Sequence, residues 1–146
     1  MGALADGALE ANGQVIGVIP EFLKEYEHGH SDVTDLQVVD GMHSRKQRMF
    51  DLSDAFVVLP GGVGTLDETF EMITWKQLHR HDKPIIIADI NGYWQKLDAL
   101  IAATVEHAFA TPATRALYTL VPSVEDVIDT LRLQPANTVH TDTAQL

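Results

Sequence analysis

The glycine-rich segment of this chain reads Leu59-Pro60-Gly61-Gly62-Val63-Gly64-Thr65-Leu66-Asp67-Glu68. It follows the apolar run Ala55-Phe56-Val57-Val58-Leu59, which is rich in strand-forming residues. It precedes a segment with helical spacing of its apolar residues, over about 66 to 80. The glycines therefore lie at a predicted strand-to-helix turn, which is where open α/β sheets bind ligands.

A turn of this kind suits an anion. Its glycines let backbone N–H groups approach a phosphate closely, and the helix start adds unpaired N–H groups and a partial positive charge. Thr65 can cap the helix and offer a hydroxyl to a phosphate oxygen, and Glu68 is predicted one turn into the helix. The segment is neither a P-loop nor a complete dinucleotide fingerprint, since Asp67 replaces the third glycine. A tight turn with a capping box between Thr65 and Asp67 or Glu68 remains the alternative.

Composition excludes several classes of function. The chain has 146 residues, of which 45% are hydrophobic and 21% charged, which is ordinary for one globular domain. Its net charge of -11 argues against nucleic acid polymers and anionic membranes as partners. It has no cysteine, so we expect no disulfide, cysteine-zinc site or thiol nucleophile. No run of membrane-spanning length or signal peptide is recognisable, which predicts a cytoplasmic protein.

Short apolar runs alternate with segments of helical period along the chain. The predicted strands cover residues 15–19, 36–39, 55–59, 84–88 and 119–121. The predicted helices cover residues 2–12, 42–52, 66–80 and 93–108, and Ser123 is expected to cap a last helix. This alternation predicts an α/β fold in which an open parallel sheet carries helices on both faces.

A second segment that could carry chemistry is Met42-His43-Ser44-Arg45-Lys46-Gln47-Arg48. Three of the ten basic residues fall within four positions there, in a chain that is otherwise acidic. Such a local cationic patch suits an anionic substrate. The alternative is a solvated helix face, which is the better interpretation for Arg48 but not for Arg45, because Arg45 shares a helical stripe with Met42 and Met49. The pairs His28/His30 and His79/His81 lack metal-binding spacing and are expected at the surface.

Together, the two segments resemble the LOG ("Lonely Guy") family of cytokinin riboside 5'-monophosphate phosphoribohydrolases, whose members are often labelled lysine decarboxylases. The likeness extends to Gly17-Val18-Ile19-Pro20, Thr74-Trp75-Lys76-Gln77-Leu78 and Gly92-Tyr93. It reaches to about Leu133. This predicts one Rossmann-like nucleotide-binding domain over residues 1–133, followed by a polar, flexible tail over residues 134–146.

The resemblance implies hydrolysis of the N-glycosidic bond of purine nucleoside 5'-monophosphates, such as AMP or N6-prenyl-AMP, to free base and ribose 5-phosphate. It implies a homodimer that needs no cofactor and no metal. Arg45 and Glu68 match the catalytic residues of the family. The residues that match its substrate-binding positions are Glu27, Met42, Lys46, Gly61, Gly62, Val63, Gly64, Thr65, Leu66, Asp67 and Thr74.

The chemistry of the reaction agrees with these roles. Loss of a purine passes through an oxocarbenium-like state, which a carboxylate such as that of Glu68 can stabilise or help water to attack. Arg45 could orient that carboxylate, hold the phosphate or assist the leaving base, and the sequence does not choose among these roles.

Two other functions stay open at this point. Family members usually carry a strand, a helix and a second strand ahead of the point where this chain begins, so a non-catalytic nucleotide-binding or regulatory module is one alternative. The other is a pyridoxal-phosphate decarboxylase, but none of the lysines lies in a recognisable cofactor context.

Overall fold

The computed structural model of the chain describes residues 1–24 and 33–133. The chain forms two compact units, residues 1–53 and residues 54–146. The helices are α1 (Gly2–Glu10), α2 (Met42–Leu52), α3 (Val63–Gln77), α4 (Gln95–Glu106) and α5 (Val124–Leu133). The strands are β1 (Ile16–Pro20), β2 (Asp35–Val39), β3 (Phe56–Val58), β4 (Ile85–Ala88) and β5 (Thr119–Val121). Short 3-10 helices cover Glu21–Leu23, Ile90–Gly92 and Pro112–Ala116.

The first unit is built on two parallel strands with helix α2 packed against β1. The pairing runs from Ile16 opposite Asp35 to Pro20 opposite Val39. Pro20 was expected to follow the strand, but it is the last strand residue and is buried. A proline lacks only the N–H group, so it is tolerated at the end of a strand where that donor is not needed.

The second unit contains a parallel sheet in the order β3-β4-β5. All four residues of β4 are buried, which is expected of the central strand of a parallel sheet. Ile86 and Ala88 pack with Val121 of β5 and Val127 of α5 in one apolar cluster. Every described strand pair is parallel and the elements alternate, so the predicted α/β, Rossmann-like fold class is confirmed.

Several helix ends follow recognisable sequence signals. Ser123 caps α5 as expected, since its Oγ accepts the N–H of Asp126 at 3.1 Å. The first helix was expected to reach residue 12 and stop at Gly13, but α1 ends at Glu10. Asn12 adopts the left-handed conformation instead, with φ 59, and Gly13 N–H bonds the Ala8 carbonyl at 2.7 Å.

No helix in the described part of the chain is long and apolar enough to cross a membrane.

The same left-handed cap recurs at the ends of α3 and α4, on residues that are not glycine. His79 has φ 55 after α3, and Ala108 has φ 61 after α4. In each case the next residue bonds back by its N–H to a carbonyl five positions earlier, Arg80 to Trp75 and Phe109 to Thr104. This hydrogen-bond pattern is the Schellman motif, whose left-handed residue is usually glycine because a Cβ atom is strained there.

The cap of α4 gives a stability prediction. Ala108→Gly should raise the free energy of unfolding by roughly 1 kcal/mol, because it relieves the left-handed strain of a Cβ atom. Ala102→Gly, inside the same helix, should lower it by about 0.5 to 1 kcal/mol. Urea denaturation of both variants measures these changes, and equal destabilisation by both would contradict the strain at residue 108.

His81 is buried, which corrects the expectation of a surface histidine. Its Nδ1 accepts the N–H of Lys83 at 3.1 Å, so Nε2 carries the proton and donates to the Met72 carbonyl at 3.0 Å. The ring also lies edge-on to Phe56. Burial lowers the pKa of His81, the bond to Met72 opposes that shift, and Lys76 and Lys83 add to it. The neutral imidazole thus ties the C-terminal half of α3 to the segment before β4.

The lowered pKa of His81 predicts that the folded chain loses stability in acid. Because the pKa of His81 is lower in the folded chain, the unfolded chain binds the proton more readily. The contribution of neutral His81 to the free energy of unfolding is therefore fully present above the ordinary pKa of 6.5. It is lost as pH falls through the folded pKa. His81→Gln should flatten the loss of unfolding free energy between about pH 7 and pH 5 relative to the unsubstituted chain. The exposed His79 supplies the control variant, His79→Asn, which should keep the original slope. A slope unchanged by His81→Gln would refute this assignment.

The second unit also holds a polar cluster between α4 and the segment that leads into β5. The Tyr118 hydroxyl donates to Asp98 Oδ1 at 2.6 Å, and Arg115 pairs with Asp98 Oδ2 at 2.7 Å. Burial, followed by the hydrogen bond to Asp98, raises the pKa of Tyr118 to about 12. The phenol is therefore a neutral donor throughout the neutral pH range.

Candidate active site

The glycine turn, residues 59–62, connects the end of β3 to the start of α3. Gly62 is the N-cap residue, with φ -96 and ψ -155, and its carbonyl accepts the first helical bond from Leu66 N–H at 3.1 Å. The following N–H groups, those of residues 63–65, have no acceptor within a regular helix. Gly62, Val63 and Gly64 are exposed, with Val63 at 82%. The turn thus presents helix-start N–H groups at the carboxyl end of a strand.

The helix begins three residues earlier than the sequence predicted. Thr65 was expected to be the cap, but it lies inside the first turn of α3, and Gly62 supplies no side chain for capping. The capping box that the sequence left open as an alternative is therefore absent at this helix start, because Thr65 is not the cap residue. Glu68 consequently lies at the sixth helical position, in the second turn. Helix α3 includes Gly64 at its second position, even though glycine loses more backbone entropy in a helix than alanine does.

The side chain of Thr65 lies directly against the backbone of Gly61. A Cβ atom on residue 61 would overlap Thr65 Oγ1 and lie 2.9 Å from Thr65 Cβ. Threonine is branched at Cβ, so rotation of its side chain cannot remove this clash. By contrast, a Cβ on Gly62 or Gly64 would meet nothing within 4 Å. Gly61 is thus required by packing inside the protein, whereas Gly62 and Gly64 face open space.

The predicted site residues on α3 lie on two different faces of the helix, one partly buried and one exposed. Glu68 lies on a partly buried stripe with Trp75, seven positions later. Asp67 and Thr74 lie on the exposed face, where Thr74 Oγ1 donates to the Phe70 carbonyl at 2.7 Å. The buried face is formed by Thr69, Met72 and Ile73. Asp67 and Thr74 therefore share a side of the helix that Glu68 does not.

The cationic segment forms α2 in the first unit. Met42 is its first residue and is exposed at 38%, whereas Arg45 and Lys46 are half-buried. Arg45 Nε donates to the carbonyl of Val18 in β1 at 3.2 Å. Arg48 Nε bonds Gln37 Oε1 at 2.6 Å on the neighbouring strand. Arg45 is thus oriented by the fold itself, as its place on the helical stripe suggested.

The sequence analysis missed one residue beside the turn. The Tyr93 hydroxyl donates to the Gly61 carbonyl at 2.7 Å. The available signal was topological: Asn91-Gly92 predicts a turn immediately after β4, which is the parallel neighbour of β3. Carboxyl ends of neighbouring parallel strands meet at one edge of the sheet, so Tyr93 could have been placed near the glycine turn.

Glu27, and the pair His28/His30, lie outside the described residues. Across residues 1–24 and 33–133, no group of three or more histidine, aspartate or glutamate side chains could hold a metal ion.

Comparison with known proteins identifies the family. A family model described as a possible lysine decarboxylase matches residues 1–131. The chain belongs to this family, the LOG family. A LOG-family relative in Rhodococcoides fascians, named cytokinin riboside 5'-monophosphate phosphoribohydrolase, is 44% identical over 133 residues. A relative of the same name in Arabidopsis thaliana and one named as probable in Oryza sativa are each 39% identical over 131 residues.

These LOG-family relatives are longer than this chain. Each alignment covers 90% of the chain, but 67% of the bacterial protein, 62% of the Arabidopsis thaliana protein and 54% of the Oryza sativa protein. The chain thus spans between about half and two thirds of the length of the curated relatives it matches.

The packing of the turn predicts that alanine at Gly61 and alanine at Gly64 have different effects on stability. Gly61→Ala should lower the free energy of unfolding by about 1 to 3 kcal/mol, because the new Cβ displaces Thr65. Gly64→Ala, which enters open space in the first helical turn, should leave it unchanged or raise it by roughly 0.5 kcal/mol. Chemical denaturation tests both, and a Gly61→Ala variant as stable as Gly64→Ala would disprove the contact.

Proposed function

We propose that this protein hydrolyses the N-glycosidic bond of purine nucleoside 5'-monophosphates. The products are the free base and ribose 5-phosphate. AMP and N6-prenylated AMP are the proposed substrates. The names of relatives that are 39% and 44% identical support this class of substrate.

The observation that carries the proposal is the glycine turn at the start of α3. Exposed helix-start N–H groups and the positive end of the helix dipole form a site for a phosphate. Gly62 and Gly64 leave open space where a side chain would stand, which would allow a phosphate to approach the backbone. Val63, Thr65 and Leu66 supply the neighbouring backbone, and Thr65 also carries a hydroxyl.

Glu68 is the proposed catalytic carboxylate. It lies in the second turn of α3, beyond the turn proposed to bind the phosphate, and we place the ribose of the bound nucleotide near it. In the reaction, the bond between C1′ and the purine nitrogen breaks and a water oxygen bonds C1′. Glu68 would stabilise the positive charge that develops on the ribose and accept the proton of the attacking water. The departing base takes up a proton from solvent and Glu68 releases its proton to solvent, so that one water molecule is consumed in each turnover.

Arg45 is the second proposed catalytic residue. Its Nε is fixed by the Val18 carbonyl, so the plane of its guanidinium is set by β1 rather than by solvent. A planar cation of this kind suits a phosphate, a carboxylate or a departing purine. The remaining proposed substrate contacts are Glu27, Met42, Lys46, Asp67 and Thr74.

Other features of the proposal rest on the resemblance and composition alone. They are a homodimeric assembly, a cytoplasmic location, and a single nucleotide-binding domain over residues 1–133 followed by a polar tail over residues 134–146.

The function is tested by incubating the purified chain with AMP and with N6-isopentenyl-AMP. Chromatography should detect free base and ribose 5-phosphate in equal amounts. Glu68→Gln should retain the unfolding midpoint and reduce kcat at least about 100-fold, because it removes the carboxylate from the reacting centre. Glu106→Gln, an exposed residue at the end of α4, makes the same chemical change elsewhere and should leave kcat unchanged.

Each alternative has its own result. Normal turnover by Glu68→Gln would overturn the catalytic assignment. Tight AMP binding without any product would indicate the non-catalytic nucleotide-binding module instead. Cofactor absorbance in the visible range, with lysine as a substrate, would indicate the pyridoxal-phosphate decarboxylase.

A further inference from the structure

We infer that Tyr93 is a positioning residue that aims the Gly62 N–H group at the bound phosphate. This inference rests on the proposed function for the identity of the anion, but its structural half is independent of that function. It assigns a role to a side chain outside α3 and outside the glycine turn.

The hydrogen bond from Tyr93 joins two turns that are 32 positions apart in the chain. Tyr93 Oη donates to the Gly61 carbonyl at 2.7 Å. Gly61 is the same residue whose Cα packs against Thr65. Its backbone is thus held by two contacts, the packing of Thr65 and the hydrogen bond from Tyr93.

Because the peptide unit is planar, this hydrogen bond fixes the direction of the Gly62 N–H. The Gly61 carbonyl and the Gly62 N–H belong to one planar, trans peptide unit, in which C=O and N–H point in opposite directions. A carbonyl directed at Tyr93 therefore directs the Gly62 N–H away from Tyr93. A rotated peptide would present the carbonyl oxygen to a phosphate, which repels it. Tyr93 therefore favours the peptide orientation that attracts an anion.

The turn that carries Tyr93 is tied to the sheet, although Tyr93 itself is 53% exposed. Its ring meets Trp94 edge-on at a centroid distance of 4.8 Å, and Trp94 is 3% exposed. The backbone N–H of Trp94 donates to Asp89 Oδ1 at 2.6 Å, and the Gln95 side-chain amide donates to Asp89 Oδ2. Asp89 is buried and immediately follows β4. The phenol thus projects from a turn that is fastened to the central strand.

Tyr93→Phe removes the hydroxyl and keeps the aromatic ring on Trp94. Tyr118→Phe is the matched control, because it removes a hydroxyl bond of similar length, 2.6 Å to Asp98, elsewhere in the same unit. Hydrogen exchange measured by mass spectrometry on peptides covering residues 59–69 tests the structural half. Tyr93→Phe should speed exchange there by about 3- to 10-fold, and Tyr118→Phe should not change it.

Calorimetric titrations with inorganic phosphate, ribose 5-phosphate, AMP and adenosine test the phosphate half. Tyr93→Phe should weaken binding of the three phosphate-bearing ligands by about 3- to 10-fold and leave the affinity for adenosine unchanged. Tyr118→Phe should bind all four ligands as the unsubstituted chain does. The kcat/KM for AMP should fall with the affinity.

The outcomes separate the two proposals. Exchange in residues 59–69 that is unaffected by Tyr93→Phe overturns the positioning role, whatever the ligands do. Faster exchange with unchanged affinity for all phosphate-bearing ligands overturns the link from Tyr93 to the anion. An unsubstituted chain that binds none of these ligands overturns the proposed function and the phosphate half, whereas faster exchange would still establish the bond from Tyr93 to the turn.

Discussion

The parallel pairing of β3 with β4 is the constraint on which the arrangement of the second unit depends. It places Phe56 opposite Ile85 and Val58 opposite Ile87, so the two strands end at the same edge of the sheet. The glycine turn leaves from one strand and the turn that carries Tyr93 leaves from the other. All four residues of β4 are buried, so a shift of this register would disrupt apolar packing on both faces of the sheet.

The glycines at the start of α3 meet two different structural demands. Gly61 is small because Thr65 occupies the space where its side chain would be. Gly62 and Gly64 are small at positions where the protein leaves open space, so their role is directed outward. This division separates the packing function of one glycine from the ligand-facing function proposed for the other two.

Much of the fold could be predicted from the sequence, because it depends on local patterns. The run Ile85–Ala88 is apolar on every residue and became the central strand, and Ser123 became the cap of α5. The start of α3 was predicted three residues late, because glycine is a poor helix former and Gly64 therefore argued against a helix before Thr65. The burial of His81 could not be predicted, since a single buried polar residue leaves no periodic signal.

The candidate site also has one part that the sequence predicts and one part that it does not. The glycine turn was located correctly at a strand-to-helix junction, because its residues are contiguous. The bond from Tyr93 joins residues 32 positions apart, and no short-range pattern contains that information. The catalytic and substrate-binding roles of individual residues remain predictions from the family resemblance.

Helix α3 is fastened by different chemistry at its two ends. Steric fit between Gly61 and Thr65 holds the first turn, whereas a neutral imidazole, that of His81, holds the carbonyl of Met72 near the last turns. Steric fit does not titrate, but the imidazole does. Protonation of His81 removes the bond that its Nδ1 accepts from the Lys83 N–H, so the attachment of α3 to the segment before β4 depends on pH, whereas the packing at its first turn does not.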